Sequence, residues 1–263
     1  MIPARKSWGQ HFLARGETAL RIVSAARIHA SDTVLEVGPG EGALTRPLAE
    51  RAGRLLAVEI DPRRAEALEE ELGGHQGVRI LHGDVLERPF GAWLALAGWG
   101  GPAVLVGNLP YNAATPILKA AIEEPETIAR SLVTVQREVA RRLCAGPGRD
   151  EYGYLSIRVA AFARARVLFD LPPGAFRPRP RVLSSVVALS PRSPGLEPRR
   201  RDRALALASL GFRSRRKTLA NALSSEGGRE RWERALEAIG KGQRARAEEL
   251  SLEDYLRLAE VAP

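Results

Sequence analysis

The stretch Asp32-Thr33-Val34-Leu35-Glu36-Val37-Gly38-Pro39-Gly40-Glu41-Gly42-Ala43-Leu44-Thr45 decides how the rest of the chain is read. An aliphatic, partly β-branched run stops at three alternating glycines, and a helical pattern starts straight after them. Strand, glycine turn and helix in that order form the first βα unit of a doubly wound sheet, where backbone lacking Cβ lets a ligand come close. Gly38, Gly40 and Ala43 also satisfy the G-x-G-x-x-A spacing of dinucleotide sites, a match that is weak alone.

Outward from this unit, short β-branched runs alternate with helical patterns, the rhythm of a mostly parallel sheet covered on both faces. Strands are expected at 33–37, 55–59, 78–81, 103–106, 132–135, 166–169 and 185–189. Between them, Pro62–Leu72 reads as a helix with Asp61 as N-cap and Pro62 at its first position. Seven strands suit one α/β domain over residues 1–190. A proline- and glycine-rich link, 190–198, precedes a segment without strand signal, so residues 199–263 are expected to form a small all-helical domain. There Phe212, Leu219 and Leu223 share one helical face and Arg213 and Lys217 another.

Three carboxylates stand at or just after strand ends. Glu59 stands about twenty residues after the glycines, where it can accept both ribose hydroxyls of a nucleoside cofactor. Glu36 would repel a pyrophosphate but suits a ligand with an ammonium and a sulfonium. Asp84, after the third strand, can accept from an adenine amino group, or act only as a helix N-cap. The set favours S-adenosylmethionine over a dinucleotide.

The fourth strand runs into Asn108-Leu109-Pro110-Tyr111, which matches the loop pattern of enzymes that methylate exocyclic amines of nucleobases, the alternative being an ordinary strand-ending turn with a buried Tyr. An adenine N6 lone pair is delocalised into the ring and must be freed before it can attack. Asn108 Oδ1 and the Leu109 carbonyl can accept both N6 hydrogens and turn the lone pair toward the methyl donor. Pro110 fixes the backbone so that the carbonyls point into the site, and Tyr111 can stack on the base.

The 263 residues are 44% hydrophobic, the composition of a folded globular chain, and no apolar run approaches the roughly 20 residues that span a bilayer. The first seven residues carry no signal-like apolar core, so a cytoplasmic location is expected. The single cysteine, Cys144, and four scattered histidines argue against disulfide or metal chemistry. Forty Lys and Arg against 31 Asp and Glu give +9. Residues 192–217 alone hold nine basic side chains against Glu197 and Asp202, so that segment is locally +7. A polyanionic partner fits this charge, although arginines on solvated faces would also produce it.

Taken together, these motifs resemble the ribosomal RNA adenine dimethyltransferase family, and most closely its small-subunit branch. The resemblance runs from Gly9-Gln-His-Phe-Leu13 through the glycine turn, Glu59, Asp84, the Asn108 loop and Val135-Gln-Arg-Glu-Val-Ala140. It continues through Phe176-Arg-Pro-Arg-Pro-Arg-Val182, Ser184-Ser185-Val186-Val187 and Phe212 to Leu223. It implies a Rossmann-like class I methyltransferase domain and dimethylation of N6 on two adjacent adenosines near the 3′ end of small-subunit ribosomal RNA. It also implies that His11, Leu13, Gly38, Glu59, Asp84 and Asn108 hold the cofactor. The target base would lie between Tyr111 and Phe176, unless Phe176 is a core aromatic. Arg213, Arg215, Arg216 and Lys217 would meet RNA, with the enzyme acting as a monomer in ribosome biogenesis. His11 stands where the family often has Asn, and Ala113-Ala114 where it often has Ile-Ser. The competing readings are a large-subunit methyltransferase of the macrolide-resistance type, a non-catalytic assembly or transcription factor on the same fold, and an NAD-dependent dehydrogenase.

Overall fold

The computed structural model describes residues 2, 9–192 and 195–261; Ser193 and Pro194 of the proline-rich link and most of the first eight residues lie outside them. All seven expected strands form, as β2 (Thr33–Val37), β3 (Arg54–Glu59), β4 (Val78–His82), β5 (Ala103–Asn108), β6 (Ile128–Gln136), β7 (Ala163–Leu171) and β9 (Ser184–Pro191). They make one sheet in the order β4-β3-β2-β5-β6-β9-β7. The pairs from β4 to β6 are parallel, and β9 runs antiparallel to β6. Two further short strands, β1 (Phe12–Leu13) and β8 (Phe176–Arg177), pair with each other and have too little sequence to show a period.

The order reverses beside β2: the chain leaves it for β3 and β4 on one side and returns to β5 and β6 on the other. Crossovers therefore diverge at the carboxyl ends of β2 and β5, which opens a crevice there. Both faces of the sheet are covered, so the central strands are apolar at successive positions. Val34, Leu35, Leu56, Ala57, Leu105 and Val106 are all essentially unexposed. Helix α1 (Gly16–Ala26) contributes Ile22 and Val23 to this core. After the glycine turn the helix is short, α2 (Thr45–Ala49). Helix α3 (Pro62–Leu72) starts as expected, with Asp61 accepting from the Arg63 backbone amide and Pro62 in the first turn. The covering is completed by α4 (Phe90–Leu96) and α5 (Ala114–Glu123).

The chain divides into two compact units, and the division differs from the boundary expected at residue 190. The first unit holds residues 1–140 and 165–191; the second holds 141–164 as well as 192–263. The second half of α6 (Arg137–Cys144) and all of α7 (Tyr154–Phe162) thus join α8 (Pro198–Arg213), α9 (Leu219–Ala222), α10 (Arg229–Ala238) and α11 (Leu252–Val261). The physical reason is burial: Tyr152, Ile157 and Ala161 pack in one cluster with Leu205, Ala208, Leu236 and Tyr255. The Tyr152 hydroxyl also donates to the Leu250 carbonyl at 2.8 Å. Phe212, Leu219 and Leu223 do join this cluster, but not from one helix, because the chain turns at Ser214–Lys217 between α8 and α9.

Ile157 is fully buried in the helical unit. Ile157→Ala should cost about 2–5 kcal/mol. Hydrogen exchange should then rise in 141–164 and 192–261 first. A rise beginning in β2, β3 and β5 would contradict this division.

Candidate active site

The crevice at the carboxyl ends of β2, β3, β4 and β5 is lined by His11, Leu13, Glu36, Gly38, Glu59, Asp84, Asn108, Pro110 and Ala113, among others. All six residues expected to hold a cofactor meet there. Gly38 has φ +67°, and a Cβ on it would have only Pro110 Cδ within 4.0 Å, so that backbone faces open space. Gly40, at φ +60°, is closed instead: a Cβ there would lie 2.6 Å from the Phe12 ring. Left-handed backbone favours glycine at both positions, and close approach requires it at Gly40.

Glu59 is 2% exposed at the end of β3. Its Oε2 accepts from Gly40 N and its Oε1 from Asp61 N, each at 2.9 Å. The carboxylate therefore braces the glycine turn while a second lone pair on each oxygen stays usable. Burial raises its pKa, and the two amides and Arg64 pull it back. Glu36 is 1% exposed, and its Oε2 has no hydrogen-bond partner. Burial pushes its carboxyl up to about 8, and the nearby Glu59 adds to the effect. Asp84 does cap the turn Val85–Glu87, accepting from Leu86 N at 2.9 Å through Oδ1, and it also lines the crevice. The cap uses only one of its two oxygens. The wall complements a ligand with vicinal hydroxyls and positive charge.

At the end of β5, Asn108 Nδ2 donates to the His11 carbonyl at 2.6 Å. The reversed amide would set two acceptors against each other, so Oδ1 is the end left for a ligand. The Leu109 side chain is buried, and its carbonyl accepts no hydrogen bond from the described residues. The Pro110 carbonyl is occupied, accepting from Ala113 N and Ala114 N. Tyr111 is half-buried, its hydroxyl 2.6 Å from Ser184 Oγ and its ring centroid 4.9 Å from that of His11. His11 Nδ1 donates to the Pro178 carbonyl at 2.6 Å.

Phe176 does not present an open ring. It is 3% exposed and packs with Leu13, Leu171, Ala175 and Val186, so the core-aromatic reading describes this structure. Its backbone bridges Leu13 across β1 and β8. In the helical unit Arg213, Arg216 and Lys217 are exposed. Arg215 is exposed too but engaged, donating to the Tyr152 carbonyl at 3.1 Å and to Glu248 at 3.2 Å. Sequence reasoning missed two neighbours of the crevice: Arg64, whose position in α3 gives no motif, and Ile60, exposed beside Glu59.

A sequence profile of the family described as ribosomal RNA adenine dimethylase matches residues 1–262. The chain belongs to this family. Among its relatives, the ribosomal RNA small subunit methyltransferase A of Xanthomonas oryzae pv. oryzae (strain PXO99A) is 43% identical over 264 residues, 99% of this chain and 97% of the relative. The protein of the same name from Xanthomonas campestris pv. campestris (strain B100) is 41% identical over 262 residues, 98% of this chain and 96% of the relative. The solved structure of the 23S rRNA methyltransferase ErmE superposes with a TM-score of 0.75 at 30% identity, covering 95% of this chain and 99% of ErmE. A dimethyladenosine transferase from Plasmodium falciparum superposes at 0.77 with 23% identity, covering 94% and 96%, which shows the shared fold. The expected class I methyltransferase architecture is thereby borne out, as is rRNA adenine dimethyltransferase activity. Membership of this family disposes of the dehydrogenase reading.

The buried carboxyl of Glu36 sets a pH dependence. Its folded value, about 8, lies above the ordinary 4.5, so folding favours the protonated form. Stability should be full near pH 4.5 and fall as pH rises toward 8. Glu36→Gln lacks that slope, so its melting temperature relative to wild type should climb between pH 5 and pH 8.5. Parallel curves would contradict this account of Glu36.

Proposed function

We propose that the chain uses S-adenosylmethionine to dimethylate N6 of two adjacent adenosines in a hairpin loop near the 3′ end of small-subunit ribosomal RNA, as a step in ribosome biogenesis. The observation that carries the chemistry is the fixed Asn108 amide, with the family membership behind it. The relatives named for the small subunit reach 43% identity over nearly the whole chain, against 30% for the large-subunit enzyme ErmE, which favours the small-subunit substrate.

The crevice fits the cofactor on its own chemistry. Glu59 and Asp84 supply acceptors for ribose hydroxyls and an adenine amino group, and exposed Ile60 supplies an apolar edge. The unpartnered Glu36 oxygen suits a cationic methionine end. When bound, the cofactor supplies a sulfonium methyl as the electrophile. Asn108 Oδ1 and the Leu109 carbonyl accept the N6 hydrogens, orienting the nitrogen lone pair for attack. Tyr111, held by Ser184, stacks on a base that has left its own stack, and an RNA loop is cheaper to open than a duplex. After transfer the nitrogen is cationic and loses its proton readily, so positioning supplies most of the rate. Phe176 reaches the base only if its packing opens. Arg213, Arg216 and Lys217 give the helical unit its contact with RNA phosphate, and the enzyme works as a cytoplasmic monomer.

Purified enzyme, given the cofactor and small- and large-subunit RNA or particles lacking the modification, should yield N6,N6-dimethyladenosine in the small-subunit loop by nucleoside mapping. Asn108→Ala should lower single-turnover methylation by about two orders of magnitude, the size of losing a donor or acceptor at the reacting centre. Near-normal turnover would refute the lone-pair argument, and label confined to large-subunit RNA would favour an ErmE-like substrate.

Replacing Arg213, Arg216 and Lys217 together with Ala should reduce the salt slope of RNA binding by about one per lost phosphate contact. Arg215→Ala should change stability more than the slope, because its guanidinium already has partners. An unchanged slope in the triple variant would return these side chains to a solvated face.

A further inference from the structure

Arg64 is the one arginine of α3 that is buried, at 2% exposure. Its guanidinium carbon lies 4.2 Å from the centroid of Phe12, a cation–π contact. Nη1 is 3.5 Å from Glu41 Oε1 in the glycine turn, and Nε is 3.9 Å from Asp61 Oδ2. Nη2 donates to the Ile2 carbonyl at 2.6 Å. The Phe12 ring also closes on Gly40, where even a Cβ would be too close. Burying a guanidinium is costly, and a hydrophobic side chain of similar volume would serve α3 packing at least as well. This arginine instead gathers the segment before β1, the glycine turn and the start of α3 at one point.

The neighbours of Phe12 show what that point controls. His11 gives its carbonyl to Asn108 and its ring nitrogen to Pro178, while Leu13 bridges Phe176. His11, Phe12 and Leu13 all line the crevice. We propose that Arg64 is a positioning residue of the cofactor site, pinning Phe12 on the glycine turn and so holding residues 10–13 as the cover of the bound cofactor. The inference rests on the reading of the crevice as an S-adenosylmethionine site.

The test is titration calorimetry of S-adenosylmethionine with full-length wild type, Arg64→Met, Arg64→Lys, Phe12→Leu and the Arg64→Met/Phe12→Leu double variant. Unliganded melting temperatures are measured alongside. Arg64→Met should weaken binding roughly tenfold, the size of a desolvated cation–π contact. Phe12→Leu should do the same, and the double variant should lose no more than either single change, because Arg64 acts through Phe12. Arg64→Lys keeps the charge without the planar face and should weaken binding by several fold; it serves if Arg64→Met does not fold. KM for the cofactor should rise while kcat at saturation stays within about twofold. Arg64 variants that melt earlier but bind with wild-type affinity overturn the proposal, as does a double variant whose loss is the product of the singles. A folded wild type that does not bind S-adenosylmethionine overturns the cofactor reading itself.

Discussion

A hydrogen bond from Asn108 Nδ2 to the His11 carbonyl determines which end of the amide faces the crevice, and the chemistry of the site depends on that direction. Methylation of an aromatic amine requires acceptors for the N6 hydrogens. An amide free to rotate would offer its NH2 as readily as its oxygen. The backbone of the 11–13 segment removes that choice, because a carbonyl can only accept. The same segment lines the crevice and pairs through Leu13 with Phe176. The 11–13 segment, Asn108 and the strand that continues to Pro178 therefore form one connected structure rather than three separate parts.

Electrostatics explains why the crevice needs such bracing. Glu36, Glu41, Glu59, Asp61 and Asp84 converge around one glycine turn, and Glu36, Glu59 and Asp61 are almost wholly buried. Two backbone amides share Glu59, the first turn of α3 and Arg63 share Asp61, and Arg64 lies among them. Glu36 keeps an oxygen without a partner, and burial, with Glu59 nearby, raises its pKa. A site of this composition disfavours phosphate and favours positive charge.

Legibility followed the strength of the local signal. Strand β2 with its glycines, the Asp61-Pro62 helix start and the Asn108 loop each carry a short-range pattern with one backbone solution, and each forms where expected. Three features had no such pattern. Strands β1 and β8 are two residues each, so their pairing is a long-range event. Helix α7 lies between strands in the chain and was counted with the sheet; only the packing of Ile157 against Leu205 and Tyr255 assigns it to the helical unit. Phe176 and Arg215 show the limit for side chains. Residue type and motif suggested a stacking ring and an RNA contact, but whether either group is spoken for internally is decided by burial and partners.

The second methyl transfer places a further demand on this geometry. After the first, N6 carries one hydrogen and one methyl, so one acceptor of the pair loses its partner while the methyl needs room. Ala113 and Ala114, which stand where the family often has Ile-Ser, are the two small residues that follow the loop. The structure separates them: Ala113 lines the crevice, whereas Ala114 is buried at the start of α5. Space for the methyl therefore falls to Ala113, next to the loop whose Pro110 carbonyl is tied back to the Ala113 and Ala114 amides. That tie holds the Ala113 backbone rigid, so a larger side chain there would protrude into the crevice rather than swing away. Dimethylation on this account depends less on any added catalytic group than on one small residue held where a branched one would crowd the monomethylated base.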